Sequence, residues 1–238
     1  LEYSHRYTVK YMPQISAEEY DLAISFLTPH YYVAEKCRAK KKIAWIHTDY
    51  SYIDVDTVSE LAMWSAYDRI ASISDDVSTA FTRKFPSLSD RLIRVDNIIS
   101  PDGIRKCAAA KDVSGEMDGK IKLLSCGRFC EAKNFDSIPE IARHLVDLGN
   151  DIKWYIIGFG GGEELIRAKI GIHGMENRVI ILGKRADPYP YMNACDVYVQ
   201  PSRYEGKAVA VREAQILGKP VVITDYPTSA SQLDDGVD

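Results

Sequence analysis

No run of about 18 apolar residues occurs in this chain, so no segment reads as a membrane-spanning helix. Cysteine is sparse. The five, at positions 37, 107, 126, 130 and 195, include no C-x-x-C pair. An odd number without that spacing argues against a disulfide framework and against zinc, so they read as reduced, mostly structural thiols in a cytosolic setting. Positive charge is not in excess either. Thirty Lys and Arg against 34 Asp and Glu give a net charge of -4, which argues against a general nucleic-acid binder. A dinucleotide fingerprint is missing as well. Gly158 and Gly160 would need a third glycine at 163, where Glu163 stands, and the segment is not the first strand-to-helix turn of its half. No leader pattern, repeat or low-complexity tract is read. The sequence opens at Leu1 without methionine and closes on a turn-like stretch, Asp234 to Asp238, so the expectation is a piece of a longer protein.

What is present is ordinary globular composition, 46% hydrophobic and 27% charged. Short apolar runs alternate with helical patterns. Asp21–Leu27, Lys42–Ile46, Arg69–Ile73 and Leu92–Val95 read as strands. Tyr31–Arg38, Val55–Ala66 and Asp75–Phe85 read as helices, the last with Ser74 as N-cap. Pro101 opens another short helix through Ala110. Polar Lys111–Lys120 reads as an interdomain linker. Strands near 121–125, 153–157, 178–182, 196–200 and 220–223 follow, with helices near 134–148, 162–170, 188–194, 208–217 and 228–233. This is an α/β pattern on both sides of a linker, so two parallel-sheet domains are expected, 1–112 and 113–238.

The most informative segment runs from Ser202 to Ala214. Glu205 sits in a Pro-Ser-Arg-Tyr-Glu-Gly loop after the apolar run Val197 to Val199. Glu213 lies about two turns into a helix starting near Lys207 or Ala208. Such a helix start offers unpaired N–H groups and a positive dipole end to a diphosphate. The glutamates offer acceptors for sugar and ribose hydroxyls. Arg128 and Lys133 follow the strand near 121–125, at the carboxyl edge where open α/β sheets place ligands. A forked donor and a point charge suit a pyrophosphate. Gly158 belongs to a tight turn that also allows backbone to approach a ligand closely. His47 ends the strand Lys42–Ile46, again at a carboxyl edge, with Asp49 nearby.

Two features read more simply. Asp54-Val-Asp56 resembles a metal-binding D-x-D, but no strand precedes it, and a helix N-terminus with first-turn acids is the better reading. Arg38-Ala-Lys-Lys-Lys42 reads first as a solvated patch, with an anionic membrane surface as the second reading.

From Ile121 onward the landmarks stand in one order: Gly127-Arg128, Lys133-Asn134, Gly158 to Gly162, Gly183, Tyr191, Asp196, Pro201-Ser202, Glu205, Glu213 and Gly218-Lys-Pro220. This set resembles glycosyltransferase family 4, retaining enzymes of the GT-B fold. The earlier half matches more loosely, through Ala44 to Tyr50, Tyr67-Asp68 and Asn97-Ile98. The resemblance implies two Rossmann-like domains facing a cleft, with the N-terminal domain incomplete and the final helices lacking. It implies transfer of a sugar from a nucleoside diphosphate donor, UDP-linked, to a saccharide or lipid-linked saccharide, as in polysaccharide biosynthesis. Glu205, Lys133, Arg128 and His47 would be catalytic. Glu213, Lys184, Arg185, Lys207, Ala208 and Gly158 would bind the donor nucleotide. No metal or other cofactor is implied. The setting would be cytoplasmic, at or near the inner membrane face. The chain alone would have little activity. A non-catalytic sugar-nucleotide-binding fragment and a phosphorylase-type GT-B enzyme stand as alternatives.

Overall fold

Short apolar runs, most of them followed by a helix, fold here into two parallel sheets. The computed structural model describes residues 7–27 and 29–233; the turn read at Asp234 to Asp238 lies outside them. Contacts divide the chain into two units, Leu1–Asn97 and Ile98–Asp238.

In the first unit, β1 (Tyr20–Ser25), β2 (Ala39–Ile46), β3 (Arg69–Ser72) and β4 (Leu92–Arg94) pair in that order, all parallel. Helices α1 (His30–Lys36), α2 (Thr57–Trp64) and α3 (Asp75–Lys84) connect them. Their apolar faces meet Ala44, Ile46 and Ile70 in one core with Trp64, Tyr67 and Phe81. Local signals set the helix starts. The Ser74 side chain accepts from the Val77 N–H, as a cap should. Asp56 accepts from Val58 N–H at 3.2 Å and from the Ser59 hydroxyl, so its carboxylate starts α2.

In the second unit, β5 (Ile121–Arg128), β6 (Ile152–Phe159), β7 (Val179–Gly183), β8 (Val197–Gln200) and β9 (Val221–Ile223) form a parallel sheet of order β7-β6-β5-β8-β9. It is preceded by α4 (Pro101–Ala108) and interleaved with α5 (Ile138–Asp147), α6 (Glu163–Ile172), α7 (Tyr189–Ala194) and α8 (Val209–Ile216). Alternate residues of β5 and β6 face opposite cores. Leu124, Tyr155 and Ile157 pack toward α7 and α8. Leu123, Trp154 and Ile156 pack toward α5 and α6. Both faces are thus covered, as a parallel sheet requires. The strand order places β5 and β8, whose following loops carry Lys133 and Glu205, side by side.

Four expectations change. The contact division falls at Asn97–Ile98, not at 112–113. The segment expected as a linker is part of the second unit: Val113 and Met117 are buried in its core, and Tyr155 donates to the Asp118 carbonyl at 2.6 Å. Its polar residues face outward while two apolar ones anchor it, a pattern that composition alone reads as a linker. The helix expected over 228–233 is a single 3-10 turn, Ser229–Ser231. β5 continues to Arg128, further than the apolar run, because Gly127 and Arg128 keep their register with Gly158 and Phe159 of β6.

Candidate functional site

The loops at the carboxyl ends of β5 and β8 bring Lys133 and Glu205 together. After β5 the chain makes one 3-10 turn, Glu131–Lys133, and leaves through Asn134 at φ 54°, a left-handed conformation that asparagine tolerates better than most residues. This turn carries Lys133 back over the strand end, where its methylenes lie 3.3 Å from the space a Cβ on Gly127 would fill. Its ammonium donates to Glu205 Oε1 at 2.5 Å. The two side chains are only 21% and 11% exposed, so this pair is shielded as surface pairs are not.

Glu205 is held by more than the lysine. The Ser202 hydroxyl donates to Oε1 at 2.6 Å and Gln200 Nε2 donates to it at 3.3 Å. The Thr228 hydroxyl donates to the Glu205 carbonyl at 2.9 Å. Arg128 stands at the end of β5, exposed, with no side-chain hydrogen bond or ion pair among the described residues.

Helix α8 starts at Val209, with extended Ala208 as its N-cap residue and no capping side chain among the described residues. Instead Gln232 brackets Ala208: its Oε1 accepts from the Ala208 N–H at 3.1 Å and its Nε2 donates to the Ala208 carbonyl at 2.9 Å. The helix start is fixed, and no side chain among the described residues accepts from its first-turn N–H groups. Lys207, half-buried, precedes it. Glu213 falls in the second turn, where Tyr189 donates to its Oε1 at 2.8 Å. Burial raises the Glu213 carboxyl above the usual range, and the Tyr189 hydrogen bond opposes that rise. Beside it, burial pushes the Cys126 thiol up to about 12, with the Glu213 charge acting the same way and Lys133 opposing.

Other residues expected in the site have partners of their own. Arg185 Nε donates to the Tyr191 hydroxyl at 2.9 Å, and its guanidinium reaches Glu116 at 3.2 Å. Tyr191 donates to the same Glu116 oxygen at 2.7 Å. Lys184 lies with its ammonium 4.9 Å over the Phe159 ring, a cation–π contact. Gly158 has an internal reason: a Cβ there would lie 1.9 Å from the Gly127 carbonyl oxygen and 2.7 Å from Phe129. The missing side chain is what lets β6 lie against β5, and no ligand is needed to explain it.

His47 belongs to the first unit, just past β2. Phe26 packs edge-on at 4.6 Å and Trp45 stacks at 6.3 Å. Burial lowers its pKa, opposed by a hydrogen bond to the Phe26 backbone. Its Nε2 is buried and has no partner among the described residues. Asp49 is buried and accepts from the Ser51 N–H at 2.8 Å, a local turn. Two of the four cations in the basic stretch are ion-paired, Lys40 with Asp21 at 2.7 Å and Lys41 with Asp68 at 3.1 Å, while Lys42 donates to the Ala34 carbonyl. No group of three or more His, Cys, Asp or Glu among the described residues is placed to hold a metal ion. No helix among them is long and apolar enough to cross a membrane.

Sequence reasoning did not single out Gln200, Gln232, Tyr189 or Glu116. A glutamine closing an apolar strand was the only local signal for any of them.

The family profile described as "Glycosyl transferases group 1" matches residues 108–238. Among curated relatives, an N-acetylgalactosamine-N,N'-diacetylbacillosaminyl-diphospho-undecaprenol 4-alpha-N-acetylgalactosaminyltransferase of Campylobacter jejuni is 31% identical over 47% of this chain and 30% of its own length. The O-antigen biosynthesis glycosyltransferase WclY of Escherichia coli is 26% identical over 73% of this chain and 48% of its own. The chain therefore spans less than half the length of either relative. Among solved structures, Anabaena Alr3699/HepE in complex with UDP and glucose superposes with a TM-score of 0.76 at 17% identity, covering 92% of this chain and 63% of that one. Staphylococcus aureus TarM, in complex with Fondaparinux, alpha-GlcNAc-glycerol and UDP, gives 0.67 at 19% identity over 84% of this chain and 40% of that one. These structures share the GT-B architecture of two parallel α/β sheets. With the family profile covering more than half of the sequence, the chain belongs to the group 1 glycosyl transferases.

Proposed function

We propose that the second unit binds the donor of a retaining sugar transfer, from a UDP-linked sugar to a saccharide or lipid-linked saccharide hydroxyl. The observation that carries this reading is the meeting of Lys133 and Glu205 beside the start of α8, with Glu213 one turn further on. A diphosphate needs dispersed cations and free N–H groups; Lys133, Arg128 and the first turn of α8 supply them. Glu205 faces the sugar and Glu213 the ribose. Lys184 and Arg185 border the base, with Lys207 and Ala208 at the phosphates and the Gly158 turn alongside. His47, in the first unit, is proposed for the sugar or acceptor on the family resemblance alone. As the diphosphate departs its charge grows, and a shielded lysine stabilises that more than it stabilises the bound donor. No covalent nucleophile is assigned.

Support comes also from the neighbours. HepE and TarM are described with UDP, and the Campylobacter relative is named for a diphospho-undecaprenol acceptor. The closer placement in family 4, and work at the inner face of a membrane, belong to the same reading.

Calorimetric titration of the chain with UDP, with and without EDTA, tests it. Binding at up to millimolar UDP that EDTA leaves unchanged is the expected result. No heat with any nucleoside diphosphate, or a strict need for manganese or magnesium, contradicts it.

A further inference from the structure

We propose that Gln200, together with Ser202, is a positioning residue that turns the Glu205 carboxylate so that one oxygen belongs to the protein and the other to the donor sugar. This rests on the donor reading of Glu205 above. Gln200 is the last residue of β8 and is fully buried, at 0% exposure. Its amide is completely used. Oε1 accepts from the Tyr198 hydroxyl at 2.7 Å, and Nε2 donates to Ser202 Oγ at 2.8 Å and to Glu205 Oε1 at 3.3 Å. Ser202, 1% exposed, donates in turn to Glu205 Oε1 at 2.6 Å. With Lys133, three donors converge on that single oxygen. Oε2 accepts nothing among the described residues.

The direction of donation is the same at every step, from Tyr198 through Gln200 and Ser202 to Glu205. A buried amide is costly unless its groups are paired. An apolar side chain of the same length would fill the end of an apolar strand without that cost. The polar chain is explained if its use lies at its end, in holding a carboxylate. A glutamate is a flexible side chain, and ordering it on binding would subtract from sugar affinity. Fixing Oε1 in advance leaves Oε2 as a pre-aimed acceptor for sugar hydroxyls. Neither Gln200 nor Ser202 touches the sugar in this account.

The test compares UDP with UDP-glucose, UDP-N-acetylglucosamine and UDP-N-acetylgalactosamine, by calorimetry, on wild type, Gln200→Met and Ser202→Ala. Wild type should bind one UDP-sugar more tightly than UDP. Each variant should keep its UDP affinity and lose about tenfold of that sugar-dependent gain, the size of one hydrogen bond to a charged group. General loosening of the fold would weaken UDP as well. Ser202→Ala removes a single hydroxyl and serves if Gln200→Met does not fold. If wild type prefers a UDP-sugar and the folded variants keep the full preference, the positioning role is wrong while the donor reading stands. If wild type binds no uridine nucleotide, the donor reading fails and this inference with it.

Discussion

Lys133 carries the heaviest demand of any single residue in this account. Its ammonium pairs with Glu205 at 2.5 Å, and both side chains are largely shielded from solvent. Measured in the longest natural chain that carries this sequence, Lys133→Ala should lower turnover by roughly two to three orders of magnitude in a radiolabelled-sugar transfer assay, because the diphosphate charge it faces grows in the transition state. Nucleotide affinity should fall less, since Arg128 and the start of α8 remain. Equal losses in both would make Lys133 a plain binding residue. A second residue, His30, sets a pH limit on the first unit. Burial, and then the neighbouring His47 charge, lower its pKa to about 4, while Ser25 Oγ bonds its Nδ1 at 2.7 Å. With the folded pKa depressed, the unfolded chain takes the proton first. Stability is full above the ordinary histidine pKa of about 6.5 and is lost as pH falls toward 4, by on the order of 3 kcal/mol. His47, lowered by burial, acts in the same direction. Urea unfolding of wild type and His30→Gln from pH 7.5 to 4.5 checks this; a variant with the same pH slope as wild type would assign the effect to other groups.

Elements show what was legible and why. Ser74, Asp56 and the strand at Ile121 were readable because caps and strand runs are written in adjacent residues. So was the position of Lys133 and Glu205 beyond the carboxyl ends of strands, because alternation of strand and helix implies a parallel sheet. The partners of the glutamates were not readable. Tyr189 and Glu213 stand 24 residues apart, and Tyr191 and Glu116 stand 75 apart. Only the strand order brings such groups together. The stretch Lys111–Lys120 misled for the same reason: two buried residues among polar ones form no periodic pattern. Met117→Ala should cost the second unit about 2–5 kcal/mol, the usual cavity penalty, where a linker residue would cost nothing. Denaturant unfolding in a Trp45→Phe, Trp64→Phe background, where Trp154 is the one tryptophan left, reads that unit by fluorescence, and an unchanged midpoint would restore the linker.

At the scale of the whole molecule, the family assignment and the architecture agree. One unit carries a sheet of order β1-β2-β3-β4, the other β7-β6-β5-β8-β9, and the residues of the proposed donor site, His47 apart, lie in the second. The central claim is that Glu205 meets the sugar and Glu213 the ribose. Calorimetry of UDP and a UDP-sugar with Glu205→Gln and Glu213→Ala tests it most directly. Glu205→Gln should leave UDP affinity unchanged or higher, since it frees Lys133 for the diphosphate, and should remove the gain from the sugar. Glu213→Ala should weaken UDP and UDP-sugar alike. The same loss of UDP affinity in both variants would contradict the account.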